Sequence, residues 1–272
     1  MGNQSFAGQH QSEDVRDQDF FTFIQQMKKL TSIDLSQYKE AQMKRRLTTL
    51  RIKRGYDTFG AYFQAIKQDT ELLNEFLDRM TINVSEFWRN PNRWMVLKDV
   101  FLPAMLKENP RLKCWSAACS TGEEPYTLAM ILAELKGLQS SQIIASDLDQ
   151  MVLNKAMQGL YPERSLRDVP PEFKRTYFKE QIPLFKVDDQ LKKHIKFEKM
   201  DLLHDAYGSQ YDLIICRNVM IYFTEEAKHK MYMNFSKALK PGGILFVGST
   251  EQIFSPAQYN LDSVETFFYR KK

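Results

Sequence analysis

The chain is poor in residues that staple, chelate or insert. It has three cysteines, Cys114, Cys119 and Cys216, an odd set with no CxxC spacing. That excludes a disulfide framework and a thiolate metal site, and two of the three lie in apolar strand-like segments, as structural thiols of a reduced cytoplasmic chain do. Four scattered histidines offer no metal-ligand cluster. No uncharged apolar run approaches the roughly 18 residues of a membrane span. The first 19 residues, "MGNQSFAGQHQSEDVRDQD", lack the apolar run of a signal peptide and are expected to form a disordered leader. There is no internal repeat and no low-complexity tract. The net charge of +4 does not by itself call for nucleic acid.

What is present divides by periodicity. From Phe20 to Met80 the pattern is helical: Phe20, Phe23, Ile24 and Met27 share one face, as do Leu72, Leu73, Phe76, Leu77 and Met80. Gly55 and Gly60 punctuate two helices between them. "RNPNR" (89–93) reads as a linker, followed by a helix through "WMVLKDVFLPAMLKE". Beyond Pro110 short apolar runs alternate with helical stretches: "LKCWSAA", "QIIASD", "HIKFEKMD", "YDLIICRN", "GILFVGS" and "TFFYRKK". This alternation predicts an α/β fold with a doubly wound, mostly parallel sheet. The last two strands lack a full helix between them and are expected to pair antiparallel at one edge.

In such sheets a ligand sits beyond the C-terminal strand ends, near the point where strand order reverses. Four strand ends carry unusual residues. In "WSAACSTGEEPYTLAM" (115–130) small residues precede a helix, with Gly122 at the turn but no GxGxxG. Small side chains let backbone amides approach a ligand, and the helix N-terminus favours a negative group. A capping box of Thr121 with Glu124 accounts for the same residues as plain helix chemistry. The second strand ends in Asp147, which can accept both hydroxyls of a ribose. Asp147 or Asp149 can equally cap the next helix. Asp201 follows another strand end, where it can meet an adenine amino group. Arg217 and Asn218 follow "LIIC", where charge is costly unless paired or solvated in a cleft. Asn218 can cap a helix; Arg217 and Tyr222 have no such routine role. Taken together, these ends favour a nucleoside-bearing ligand over four unrelated caps.

"TINVSEFWRNP", "WSAACSTGEEPYTLAM", "SDLD", "GLYPERSL" and "CRNVMIYF", in this order and spacing, resemble the bacterial CheR-type chemotaxis receptor methyltransferases. The resemblance runs from about Phe20 to the C-terminus. It implies a class I S-adenosylmethionine-dependent methyltransferase fold, a Rossmann-like doubly wound sheet with an antiparallel edge strand. With that sheet come a small N-terminal all-helical domain and a small inserted β-subdomain. The implied domains are a helical receptor-recognition domain over 20–88, a linker and helix over 89–110, and a catalytic domain over 111–272 with the β-subdomain near 178–200. The implied reaction is methyl esterification of glutamates on the cytoplasmic helices of chemoreceptors, with S-adenosylhomocysteine as coproduct and no metal. The resemblance places Asn83, Ser85, Arg89, Ala118, Glu124, Asp147, Asp201, Leu202, Arg217 and Asn218 against the cofactor. Arg89 and Tyr222 are the implied catalytic pair. Ser85 stands where many relatives have threonine, which keeps the hydroxyl. Asp201 stands where asparagine is common, which keeps an acceptor and loses a donor.

"YKEAQMKRRLTTLRIKRG" (38–55) holds seven basic residues and one acid, Glu40. Met43, Leu47 and Leu50 form an apolar stripe that leaves Lys44, Arg45 and Arg51 on other faces. A solvated face is the bland account. The one-signed excess favours partner binding, and Lys44, Arg45, Arg46 and Arg51 are the expected contacts for the acidic methylation region of the receptor. Two other functions compete. A nucleic-acid methyltransferase would use the same charge, but "CRNVMIYF" stands where many amine methyltransferases carry D/N-P-P-Y/F. A cofactor-binding scaffold would transfer nothing. No nucleic acid, no membrane insertion and a monomer are expected. Within "YFKEQIPLFKVDDQLKKHIKFEKM" (177–200), strands are expected around "LFKV" and "IKFEKM", joined by a short turn "DDQLKK". In the family that the sequence resembles, members that dock a receptor tail on this subdomain have a glycine-bearing loop, which permits close backbone approach. No glycine occurs between Gly159 and Gly208 here, so the resemblance implies recognition without the receptor's C-terminal pentapeptide.

Overall fold

Apolar residues at helical spacing build the first helices, and Phe20, Phe23, Ile24 and Met27 are all buried on α1 (Ser5–Thr31). The computed structural model describes residues 5–81 and 85–272, with side chains from residue 18 onward. The leader expected to be disordered over 1–19 is helical from Ser5. A polar segment can continue a helix that its neighbours have nucleated, because propagation costs far less than initiation. Asp19, the last residue of that leader, accepts the N–H groups of Phe59 at 2.7 Å and Gly60 at 3.0 Å. Gly60 therefore lies in the first turn of a helix rather than breaking one.

The chain divides into residues 1–82 with 222–227, and residues 83–221 with 228–272. In the first unit α1 is followed by α2 (Glu40–Lys53), α3 (Phe59–Gln68) and α4 (Thr70–Met80). Phe23 is the hub, its ring 5.0 Å from Phe59, 6.0 Å from Tyr62 and 5.8 Å from Phe76. Met43, Leu47 and Leu50 are buried as the stripe predicts, as are Leu72, Phe76 and Met80. The helical unit is discontinuous, which the expected 20–88 domain did not include. Tyr38 pairs with Phe223 in an antiparallel bridge with their rings 4.7 Å apart, and Thr224 donates to the carbonyl of Gln37 at 2.9 Å.

The second unit begins with α5 (Pro91–Val96), a π-helical turn (Leu97–Phe101) and α6 (Leu102–Glu108). The helix expected through "WMVLKDVFLPAMLKE" is present and packed: Trp94, Leu97, Phe101 and Leu102 are buried in the core of the sheet unit. Trp94 meets Phe246 edge-on at 5.6 Å, and Phe101 stacks on Phe268 at 4.8 Å. Of the expected linker "RNPNR", residues from Pro91 onward already belong to α5. The elements then run β1 (Lys113–Ala117), α7 (Glu123–Glu134), β2 (Gln142–Asp147), α8 (Gln150–Gln158), β3 (Leu160–Pro162), α9 (Pro171–Tyr177), β4 (Phe178–Gln181), β5 (Leu184–Val187), α10 (Asp189–Lys192), β6 (Ile195–Lys199), β7 (Tyr211–Cys216), α11 (Glu225–Ala238), β8 (Leu239–Val247), β9 (Leu261–Glu265) and β10 (Phe268–Lys271). Helix α11 begins with residues that cluster with the helical unit.

The main sheet has the order β6-β2-β1-β7-β8-β10-β9. Its first five strands are parallel, and β10 runs antiparallel between β8 and β9. The antiparallel strand predicted from "TFFYRKK" is therefore one place in from the edge. The edge strand itself, β9, has only Leu261 buried, and "LDSVE" carries too little apolar signal to be read as a strand. Strand order reverses between β1 and β7, so the ends of β1, β2, β6 and β7 surround the expected ligand crevice.

A second sheet, antiparallel in the order β3-β5-β4, is the inserted subdomain. It spans 160–187 rather than 178–200. "HIKFEKMD" supplies β6 of the main sheet, as the alternation predicts, with Ile195 and its neighbours paired with the apolar run of β2. "DDQLKK" is not the hairpin turn. It forms α10, with Asp188 accepting the N–H of Gln190 at 2.8 Å, and the hairpin turn is Gln181–Leu184. The turn expected to bear on tail docking is thus a helical one, leading into the main sheet.

Candidate functional site

Backbone strain marks the first strand end. After β1, Ala118 has φ +58° and Ser120 +49°, and Gly122 follows at +93°. Left-handed residues of this kind persist only where surrounding structure holds them, and they gather at ligand sites. A Cβ on Gly122 would lie 2.7 Å from the Ala156 Cβ, so this turn requires glycine. The predicted capping box is absent. Gly122 is the N-cap of α7, with no side-chain cap, and the Thr121 hydroxyl donates to Glu123 at 2.7 Å. Glu124 turns inward instead, accepting from the Ser116 hydroxyl at 2.8 Å with its second oxygen 3.7 Å from Arg217. Burial pushes its pKa up to about 7, against the opposing pull of Arg217.

Asp147 does not cap α8; Asp149 does, accepting from Met151 N–H at 2.7 Å. The two oxygens of Asp147 take the N–H groups of Ser120 at 2.8 Å and Asp149 at 3.0 Å. A carboxylate has room for a further donor beyond these. The side chain is buried, and desolvation raises its pKa to about 6 although the N–H groups of Asp149, Ser120 and Leu148 pull it down. Ser120 Oγ beside it is buried without a partner.

Arg217 is 7% exposed and bonded inward. One terminal nitrogen donates to the carbonyl of Arg89 at 2.7 Å and to Asn90 Oδ1 at 2.9 Å. The guanidinium packs on the rings of Phe246 at 4.8 Å and Trp94 at 5.4 Å, and its Nε has no partner. The charge expected to need pairing or a cleft is paired. The half-buried Arg89 acts electrostatically on both Glu124 and the buried Arg217. Asn218 is left-handed at φ +61°. Its N–H donates to Glu251 at 2.6 Å.

Other predicted residues are placed differently. Asp201 follows β6 with its carboxylate engaged locally, accepting from Leu203 N–H at 2.8 Å and facing His204 Nδ1 at 2.9 Å. Leu202 is buried beside it, its carbonyl accepting the Tyr207 hydroxyl. Ser85 hydrogen-bonds the buried carboxyl of Glu123. A cavity of about 830 Å³ opens beside Ser85, Glu123, Lys155 and Tyr161, and among the described residues Ser85 is the only predicted cofactor residue that lines it. Asn83 lies outside the described residues. Tyr222 belongs to the helical unit: its carbonyl accepts Lys39 N–H at 2.8 Å, and the Arg46 guanidinium lies 5.5 Å from its ring.

Of the four basic residues expected to face a receptor, Arg45 alone is exposed. Arg46 donates to the Met80 carbonyl at 2.7 Å, and Arg51 to the Tyr56 carbonyl at 2.6 Å while stacking 5.0 Å from Phe59. Lys44 is half-buried, 5.9 Å from the Phe20 ring. Guanidinium groups lie readily along apolar surface, and here packing has claimed them.

Left-handed backbone, a buried carboxylate with acceptor capacity left and an orphaned hydroxyl lie together where β1 and β2 end, the features a nucleotide cradle needs. Residues 83–268 match the CheR methyltransferase SAM binding domain, and residues 18–81 match the CheR methyltransferase all-alpha domain. The chain belongs to the CheR methyltransferase family. It is similar to the chemotaxis protein methyltransferase of Listeria monocytogenes, with 43% identity over 94% of this chain and 98% of that one. Chemotaxis protein methyltransferase 1 of Pseudomonas aeruginosa is 34% identical over 86% of this chain and 90% of its own length. The Borreliella burgdorferi enzyme is 32% identical over 88% and 89%. The CheR protein described here is therefore a chemotaxis protein methyltransferase that uses S-adenosylmethionine. The cradle residues fit that cofactor. Among the described residues no cluster of acid, histidine and cysteine side chains could hold a metal ion, and no helix is long and apolar enough to cross a membrane.

Proposed function

We propose that this enzyme methylates glutamate side-chain carboxylates on the cytoplasmic helices of chemoreceptors, forming methyl esters for sensory adaptation. When bound, S-adenosylmethionine supplies a methyl group activated on a cationic sulfur. Asp147 would hold the ribose hydroxyls, the small residues around Ala118 would let backbone amides approach, and Glu124 would face the cationic end. Ser85, Asn83, Leu202 and Asn218 complete the proposed wall, with Arg217 braced behind Arg89. Asp201 reaches an adenine only if its carboxylate shares itself with the local turn.

The observation that carries the reading is the pairing of Glu124 with Arg217 at 3.7 Å, with the charge of Arg89 acting on both. An incoming glutamate has a reference pKa near 4.3 and arrives ionised at neutral pH. It has no proton to lose, so a general base is superfluous even though Glu124 has a pKa suited to one. Such a nucleophile needs in-line positioning. Arg89 can hold its second oxygen with a guanidinium fork, and Tyr222 can donate a hydrogen bond to it. Arg89 and Tyr222 would so hold the other carboxylate oxygen in line with the methyl group that the bound cofactor would supply.

Tritiated methyl transfer to receptor-containing membranes, followed by alkali, tests the substrate. Release as methanol marks an ester, whereas methyl groups on nucleic-acid nitrogen or carbon stay bound. Arg89→Ala and Tyr222→Phe are expected to lose transfer rate far more than melting temperature. Wild-type turnover in both would remove these residues from the chemistry.

A further inference from the structure

Glu251 has no part in the reaction described above, yet it is the most heavily bonded acid near the end of β7. It is 4% exposed, and its carboxylate gathers three backbone N–H groups: Asn218 at 2.6 Å and Gly248 at 2.8 Å on one oxygen, Met220 at 2.7 Å on the other. Its own N–H donates to the Gly248 carbonyl at 3.0 Å, closing a tight turn at the end of β8. A Cβ on residue 248 would lie 2.4 Å from the Glu251 carboxylate and 2.8 Å from Asn218 N, so the clamp requires glycine there. Burial raises the carboxyl's pKa while the three N–H groups draw it back down.

A buried carboxylate is a costly way to close a loop. This one reaches 33 residues along the chain to the left-handed Asn218. Without Glu251, the N–H of Asn218 would lose its acceptor and φ +61° would lose its restraint. Arg217, one residue earlier, is tied from the opposite side through Arg89 and Asn90. The segment is thus pinned at both ends.

We propose that Glu251 is a positioning residue for methyl transfer, clamping the backbone of Asn218 and Met220 to the end of β8 so that the Asn218 side chain meets the cofactor. The inference rests on the proposed contact of Asn218 with the cofactor. The test is a double-mutant cycle on the full chain with Glu251→Gln and Asn218→Ala. Binding of S-adenosylhomocysteine is read by calorimetry, beside kcat and KM on receptor membranes. Each single variant is expected to bind about tenfold more weakly, the equivalent of one buried hydrogen bond. The double variant should be no weaker than the poorer single, because both remove the same contact. Glu251→Asp, which keeps the charge, should recover part of the loss, and it replaces Glu251→Gln in the cycle if the glutamine variant does not fold. A Glu251→Gln protein with a lowered melting temperature and wild-type affinity would make Glu251 a fold brace and overturn the inference. Additive losses would do the same. Asn218→Ala at wild-type affinity would remove the underlying contact and the inference with it; Asn218→Ala weakened beside an unaffected Glu251→Gln defeats the inference alone.

Discussion

Charged residues in unexpected places drew notice in two regions, the strand ends of the sheet unit and helix α2 of the helical unit. They resolve in opposite ways. Asp147, buried at the end of β2, and Glu124, largely buried in the first turn of α7 behind β1, have pKa values raised to about 6 and about 7, a condition that works against the fold. On α2, Arg46 and Arg51 are absorbed by neighbouring carbonyls and rings. A long cation on a helix can always fold back on its surroundings at little cost. An acid at the end of an apolar strand cannot. Its burial therefore says more about ligand than a run of lysines and arginines does.

The largest expected effect sharpens that contrast at Asp147. Asp147→Ala should weaken S-adenosylmethionine binding by on the order of 1.5–3 kcal/mol for each charge-assisted hydrogen bond lost. Calorimetry showing unchanged affinity in a folded variant would reduce Asp147 to a loop brace for Ser120 and Asp149. Next comes the turn itself. Gly122→Ala forces a Cβ to 2.7 Å from Ala156 at φ +93°, and should lower stability by about 1–3 kcal/mol in urea unfolding. An unchanged midpoint would show that the turn relaxes freely.

A third test uses pH. Glu124 and Asp147 titrate higher in the fold than the usual carboxylate value near 4, so the folded state binds their protons more tightly. Their contribution to stability is full below about pH 4 and is lost as pH rises through about 6 and about 7. The slope approaches about 1.4 kcal/mol per pH unit for each group. Urea midpoints should fall across this window, and Glu124→Gln should flatten the upper part. A rising or flat profile in the parent protein would contradict the burial. Cofactor affinity should move the other way, gaining as Glu124 ionises.

The smallest effects belong to α2. Arg45→Glu should slow receptor methylation several-fold at low salt, in line with the fraction of a kcal/mol an exposed charge is worth, and leave cofactor affinity alone. Arg51→Ala should lower the melting temperature and spare receptor recognition. If both acted on recognition alike, the distinction between absorbed and displayed charge would fail.

The sequence made the parallel core legible because its strands are short apolar runs, and three of the four flagged strand ends converge through Asp147, Glu124 and Arg217. The fourth, Asp201, is held by its own turn. The edge strand β9 escaped because four of its five residues face outward. The subdomain begins at 160 rather than near 178, since β3 is three residues long and carries little apolar signal. Arg51 shows a different limit. Charge and helical face were correct, but its acceptor, the carbonyl of Tyr56, depends on how the chain turns after Gly55. Glu251 carried the same kind of signal as Asp147, an acid just past an apolar strand, in "GSTEQ".

The bridge from Tyr38 to Phe223 has a practical meaning for dissecting or recombining this enzyme. The helical unit is written in two separate stretches of the gene, so a cut near residue 82 does not release it whole. A fragment starting at 83 carries Phe223 without the ring it packs against, and a fragment ending at 82 leaves Tyr38 bare. Chimaeras that exchange helical units between relatives must move residues 222–227 with the helices. Divergence in one stretch is therefore expected to be matched in the other.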